Sequence, residues 1–200
     1  MQLPMFPLRI VLFPQGPLPL RIFEARYVDM VRRCMHESLD FGVLLILEGS
    51  EVGPSTTVEV GTTAHIADFH QLADGLLGIS CVGRRRFRVR QRMVQGDGLN
   101  LADVVLLEEN PPQPVLSRHA HLADLVRGVL PQLGELYADM QLQVDDAVWL
   151  GYRLAEILPI DVADKQRCLE MDDPVARLDF LMPLIRSAAA GALPPTGSVN

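Results

Sequence analysis

The hydrophobic rhythm of this 200-residue chain changes once. Up to residue 110, apolar residues come in short runs broken by proline and glycine, as in strands. After residue 115 they recur every three or four positions, as in helices. MFPLRIVLFP and GPLPLRI are short apolar runs punctuated by Pro4, Pro7, Pro14, Pro17 and Pro19. Proline cannot donate to a sheet ladder, so these runs predict edge or irregular strands. FEARYVDMVRRCMHES interrupts them: Phe23, Tyr27, Met30, Val31, Cys34 and Met35 fall on one face at helical spacing. FGVLLILE (41–48) is continuously apolar and fits a strand buried on both sides. TVEVGTTAHIADFHQL (57–72) predicts a further strand, bent at Gly61, and Asp74-Gly75 a hairpin into LLGISCVG. Gly96-Asp97-Gly98 turns the chain into a last strand, LNLADVVLLEE.

ENPPQPV (109–115) places three prolines in four positions, which ends regular structure and makes a semi-rigid connector. Beyond it, HLADLVRGVLPQL has apolar residues at 122, 125, 126, 129, 130 and 133, with Pro131 ending or kinking the helix. DDAVWLGYRLAEILP sets Val148, Tyr152, Ala155 and Ile157 near one stripe. Asp161 can cap the next helix. Asp173-Pro174 is the favoured cap and first position of the last one, which Pro183 should kink. The organisation expected is α+β: a β-rich part with one helix over 1–110, a connector over 111–115, a helical bundle over 116–190 and a flexible tail over 191–200.

Composition narrows the function classes. Net charge is −7; residues 1–110 carry 11 basic and 13 acidic groups, and residues 111–200 carry 7 and 12. Neither part is a basic domain, so any nucleic-acid footprint must be local. No apolar run reaches the ~18 residues of a membrane span. The opening MQLPMFPLRI lacks the basic start, apolar core and cleavage site of a signal peptide. Cys34, Cys81 and Cys168, odd in number and widely spaced, fit reduced thiols in a cytoplasm. Lys165, in ADKQR, is the single lysine; this excludes a phosphate-binding P-loop, and no serine stands near it in sequence for a Ser-Lys dyad.

VGRRRFRVRQR (82–92) holds six of the seventeen arginines. On a strand, Arg84, Arg86, Arg88, Arg90 and Arg92 would share one face, with Arg85, Phe87, Val89, Gln91 and Met93 on the other. Such a row would be ~26 Å long at ~3.3 Å per residue. It could track phosphates, meet a protein partner, or be a solvated face paired with carboxylates such as Glu59 or Glu108. The aromatic residues that usually interleave a nucleic-acid groove are missing from that row.

Other constellations carry little chemistry. His119 and His121 diverge at a helix start, and His65 and His70 face opposite sides of a strand. Cys34 and His36 diverge on a helix, with Cys34 on its apolar side. Cys-x-x-Cys, His-Glu-x-x-His, Gly-x-Ser-x-Gly and Gly-x-Gly-x-x-Gly are all absent. No catalytic residue, metal site or cofactor is expected.

The opening FPLRIVLFPQGPLPLRIFEARYVDMVRRCM resembles the start of the Lon protease N-terminal domain family. Leu3, Pro4, Phe6, Pro7, Leu8, Phe13, Pro14, Leu18, Pro19, Leu20, Phe23, Glu24, Arg26 and Tyr27 match its pattern. Gln15 departs from it, standing where glycine is commoner. The similarity continues through FGVLLI, VGTTAHIADFHQLADG, VGRRRFRV and YRLAEILPIDVADKQRCLEMDDPVARLDFL. The resemblance implies a PUA-like β-pseudobarrel followed by a C-terminal helical bundle, and a non-enzymatic module that helps recognise unfolded or damaged polypeptides. It implies unfolded or damaged polypeptides, and a protease or its substrates, as partners; no membrane partner is expected, and a nucleic acid is the less expected one. It carries over no catalytic residue. In full-length Lon such a region precedes ATPase and Ser-Lys peptidase modules, and these 200 residues contain neither. Through the fold alone, an RNA-binding module using the Arg84–Arg92 row stands as the alternative.

Overall fold

A computed structural model describes residues 1–51 and 55–191, with side chains through residue 185. Nearly all of the expected tail lies outside the described residues. The chain divides into two compact units, Met1–Glu109 and Asn110–Asn200.

The first unit contains strands β1 (Gln2–Leu8), β2 (Pro17–Ile22), β3 (Phe41–Gly49), β4 (Ser55–Thr57), β5 (Val60–Gln71), β6 (Leu77–Val94) and β7 (Asn100–Leu106). Helix α1 (Ala25–Glu37) lies between β2 and β3. The sheet runs β1-β7-β6-β5-β3-β4, and β1 also pairs with β3, which closes five strands into a ring. The prolines of β1 are accommodated because the strand divides its partners. Gln2–Pro4 pair antiparallel with β7, and Met5–Leu8 pair parallel with β3. Each half therefore behaves as an edge, where a missing N–H costs little.

Neighbouring residues on a strand point to opposite faces. Phe6 and Leu8 join one core, with Phe41, Val43, Ile79 and Cys81. Leu3 and Met5 join a second, with Leu44, Phe87, Val89, Ala102 and Val104. This is why 41–46 is apolar at every position and fully buried. Each buried Phe contributes about 2–3 kcal/mol relative to exposure. Helix α1 supplies Tyr27, Met30, Val31 and Cys34 to the first core and ends where Ser38 turns left-handed. Phe23, expected on that apolar face, precedes the helix and is 60% exposed, and Met35 is also largely exposed. The run 57–72 is two strands rather than one. Gly61 serves a close approach, since a side chain there would overlap the Val43 carbonyl and the Phe87 ring.

In the second unit α2 (Ala120–Val129) ends in a tight turn, Leu130–Gln132, containing Pro131. Helices α3 (Ala147–Ile157), α4 (Val162–Glu170) and α5 (Pro174–Gly191) follow, and α3 packs against α2, α4 and α5. The Val148 stripe expected for α3 does not describe it: Ala147 and every residue from Trp149 to Ala155 are buried, with Val148 half-buried. Asp173 caps α5 by accepting from the N–H groups of Val175 (2.8 Å) and Ala176 (3.2 Å). The helix runs on past Pro183. Asp161 sits at the cap position of α4 but accepts no capping bond. The Pro-rich segment is tied down at its end: Ala147 N–H donates to the Gln113 carbonyl at 2.7 Å and Val115 N–H to that of Asp145 at 3.0 Å.

Candidate functional site

The arginine-rich stretch lies in β6 as expected, but it is not a one-sided row. Two register shifts rotate it. Between Gly83, opposite Ala64, and Arg86, opposite Thr62, Arg84 and Arg85 together face the single residue Thr63. A second shift makes Arg90 the extra residue between Val89, opposite Val104, and Gln91, opposite Asp103. Each bulge reverses the alternation beyond it. Arg84, Arg85, Arg88 and Arg90 are exposed, whereas Arg86 is only 4% exposed. Arg92, also exposed, pairs with Ala102 at the edge of the second core. There it donates to the carbonyls of Thr57 (3.2 Å) and Val58 (3.0 Å). Of the five arginines expected on one surface, four stay exposed and Arg86 alone is buried. Arg85, assigned by alternation to the inner face, joins them because of the bulge, for which the sequence carries no signal.

Two clefts are lined in part by this strand. One, of about 310 Å³, is lined by Arg84, Arg85, Thr63, Ser38, Asp40 and apolar residues including Leu3, Leu39 and Leu106. The other, of about 290 Å³, opens on the second core between Met5, Leu44, Ala102, Val94 and Arg92. Exposed apolar side chains elsewhere on the unit include Phe23, Leu47, Phe69 and Val94.

The motif residues of the opening stretch are mostly structural. Phe6 stacks on Tyr27 with ring centroids 4.1 Å apart. Pro4, Pro7, Leu8, Phe13 and Leu18 are buried, and Pro14 and Leu20 half-buried. Glu24 precedes α1 and pairs with Arg26 at 2.8 Å. Pro19 and Phe23 alone among them are exposed.

Nucleophilic and metal chemistry finds no footing among the described residues. Burial pushes the Cys34 and Cys168 thiols up to about 11 and Cys81 to about 12, away from the reactive thiolate. Among the described residues no group of three or more His, Cys, Asp or Glu could hold a metal. Lys165 Nζ donates to the Glu156 carbonyl at 2.8 Å. His119 is buried against Asp179, with Nε2 2.7 Å from its Oδ1. The helical unit also buries charges that the sequence did not single out. Arg177, fully buried, donates to the Cys168 carbonyl (2.8 Å) and lies 4.0 Å over the Tyr152 ring, tying α3, α4 and α5 together. Arg153 pairs with Glu156 at 2.8 Å within α3. Their sequence trace is an arginine set among apolar neighbours in each of two helices, Arg153 in α3 and Arg177 in α5.

No helix among the described residues is long and apolar enough to cross a membrane. The family model described as the ATP-dependent protease La (LON) substrate-binding domain matches residues 2–187. A Lon N-terminal domain protein from Xanthomonas campestris has a crystal structure similar to this one. Identity is 37%, the TM-score is 0.76, and the match covers 92% of this chain and 98% of that one. The Lon protease of Cytophaga hutchinsonii is 28% identical over 92% of this chain, and protein cereblon of Danio rerio 36% identical over 54% of it. The chain spans about a quarter of the length of these curated relatives, 24% and 26% respectively. The matched region is the substrate-binding part of Lon, and 200 residues are too few to hold its ATPase and peptidase modules as well. By the family match over 2–187, the chain belongs to the Lon substrate-binding domain family.

Proposed function

We propose that this chain is a non-enzymatic module that binds unfolded or damaged polypeptides, acting in the cytoplasm alongside a protease or its substrates. The observation that carries the reading is the match of the substrate-binding family model to nearly the whole chain. Two features of the first unit support it. Apolar side chains such as Phe23 and Phe69 stand exposed, and two clefts with apolar walls are lined by residues of β6. Unfolded chains differ from folded ones chiefly in displaying apolar side chains and free backbone, which such surfaces can cover. The closed ring of strands followed by packed helices supports the finer reading of a PUA-like pseudobarrel and a helical bundle. Arg84 and Arg85 serve as a polar rim of the first cleft.

The alternative, RNA binding along Arg84–Arg92, finds less support. A phosphate track needs consecutive cations on one face; the strand interrupts it at the buried Arg86, and Arg92 is engaged by the Thr57 and Val58 carbonyls. The test is retention of the purified chain on an immobilised, reduced and alkylated protein that cannot refold, beside the same protein immobilised folded. Selective retention on the unfolded form is expected; passage through both would overturn the reading.

A further inference from the structure

We propose that the bulge at Arg84 and Arg85 forms a recognition site for a carboxylate side chain lying next to an apolar one in an extended polypeptide. The proposal rests on the polypeptide-binding reading and names the kind of segment taken.

Consecutive strand residues normally point apart, so adjacent arginines would sit on opposite faces. Here two residues of β6 oppose one of β5, and both arginines line the same cleft. Bulges re-aim side chains in this way. The distortion is anchored, since Arg85 N–H donates to Thr63 Oγ1 at 3.1 Å. Among the described residues nothing engages the Arg84 guanidinium. Arg85 is held loosely, its Nε 3.5 Å from the exposed Glu109 carboxylate and its Nη2 3.4 Å from the Leu107 carbonyl. Surface pairs of this kind are weak, so an incoming carboxylate can take the place of Glu109. The cleft's one acidic lining residue, Asp40, is already engaged, its Oδ1 3.0 Å from His65 Nδ1. In a chain of net charge −7, this is a local pair of available cations.

The apolar half of the site comes from Leu39, exposed just beyond the left-handed Ser38, and from Leu3 and Leu106. Planar guanidinium forks match a carboxylate well, and the leucines accept a neighbouring aliphatic or aromatic side chain. Both arginines stand exposed at the rim, so a chain can pass over the cleft rather than having to end in it. An internal Asp or Glu beside an apolar residue is therefore the occupant.

The experiment titrates two labelled, blocked peptides into the chain, one alternating Leu and Glu and one alternating Leu and Gln, with a permanently unfolded neutral polypeptide beside them. The Glu peptide should bind more tightly. R84E/R85E should weaken it about tenfold, whereas R88E/R90E, with the same change in net charge on exposed residues outside this cleft, should change it little. Circular dichroism confirms that both variants fold. Glu and Gln peptides binding alike, or both double variants weakening equally, would overturn this proposal while polypeptide binding stood. Failure of the wild type to bind any of the three would overturn the polypeptide-binding reading itself.

Discussion

The carbonyl oxygen of Phe13 occupies the space that a side chain on Gly83 would need. The contact is part of a clasp. Gln15 N–H donates to the Gly83 carbonyl at 2.7 Å, Gly83 N–H donates to that of Gly16 at 2.8 Å, and Gly16 N–H closes the turn onto Phe13 at 2.9 Å. The clasp pins the segment after β1 to the middle of β6. Gly83→Ala should cost about 3 kcal/mol, because the overlapping atom is backbone and cannot rotate away. Urea unfolding measures it.

Gln15 stands in the same turn with φ of +60°. A side chain in the left-handed region costs about 1 kcal/mol or more, and a glycine costs the unfolded chain somewhat less. Gln15→Gly should therefore stabilise by about 0.5 kcal/mol, seen as a raised urea midpoint with unchanged slope. The residue that departs from the family pattern is thus the one whose backbone calls for glycine.

Phe6 joins β1 to α1 through its stacking on Tyr27. Phe6→Ala should destabilise by about 3–4 kcal/mol, and Phe6→Leu by much less, since leucine refills most of the volume. Thermal unfolding of both variants distinguishes loss of core volume from loss of the aromatic pair.

Arg86 and Arg88, two apart on β6, should respond differently to alanine. Arg86 is buried and reaches toward the Glu108 carbonyl at 3.5 Å; Arg88 is exposed. Arg86→Ala should lower stability by about 2 kcal/mol and Arg88→Ala by less than about 0.5 kcal/mol. Equal small losses would mean that the whole row is solvated.

Burial holds the Glu156 carboxyl up to about 7, even with the Arg153 guanidinium 2.8 Å away. The same burial lowers Arg153, so both partners resist charging. The native state therefore binds the Glu156 proton more tightly than the unfolded chain, where it ionises near 4.5. Its stabilising contribution is complete below that value and is lost as pH rises through about 7. Asp179 runs the other way: hydrogen bonds from Arg118 and His119 hold it down to about 2, so its contribution fades only as pH falls below 3.8. Between pH 5 and 8, Glu156→Gln should remove a downward slope of stability with pH that Asp179→Asn leaves in place.

The elements were legible where local chemistry set them. Asp74-Gly75 gave its hairpin, Asp173-Pro174 its helix start, and the unbroken 41–46 run its doubly buried strand. The site was less legible because it depends on register. Strict alternation put Arg86 outside and Arg85 inside; the bulge opposite Thr63 brings Arg85 to the side of Arg84, while Arg86, still in register with Arg88, is buried by what packs over it. A bulge is fixed by how β6 meets β5 and by the Phe13 clasp, not by the residues in it. Buried Arg177 likewise depends on carbonyls that only the packed α4 brings within reach. Phe23 looked like part of a helical face because its spacing fits, but the helix begins two residues later.

The most direct test is the fluorescence anisotropy of a labelled, permanently unfolded polypeptide titrated with this chain at low and moderate salt, with labelled single-stranded RNA run beside it. Binding led by apolar contact should saturate and survive the increase in salt, because only the arginine rim is screened. RNA should show no saturable change. A silent polypeptide, with RNA binding that falls steeply as salt rises, would contradict the account and make the arginine strand a phosphate-binding surface.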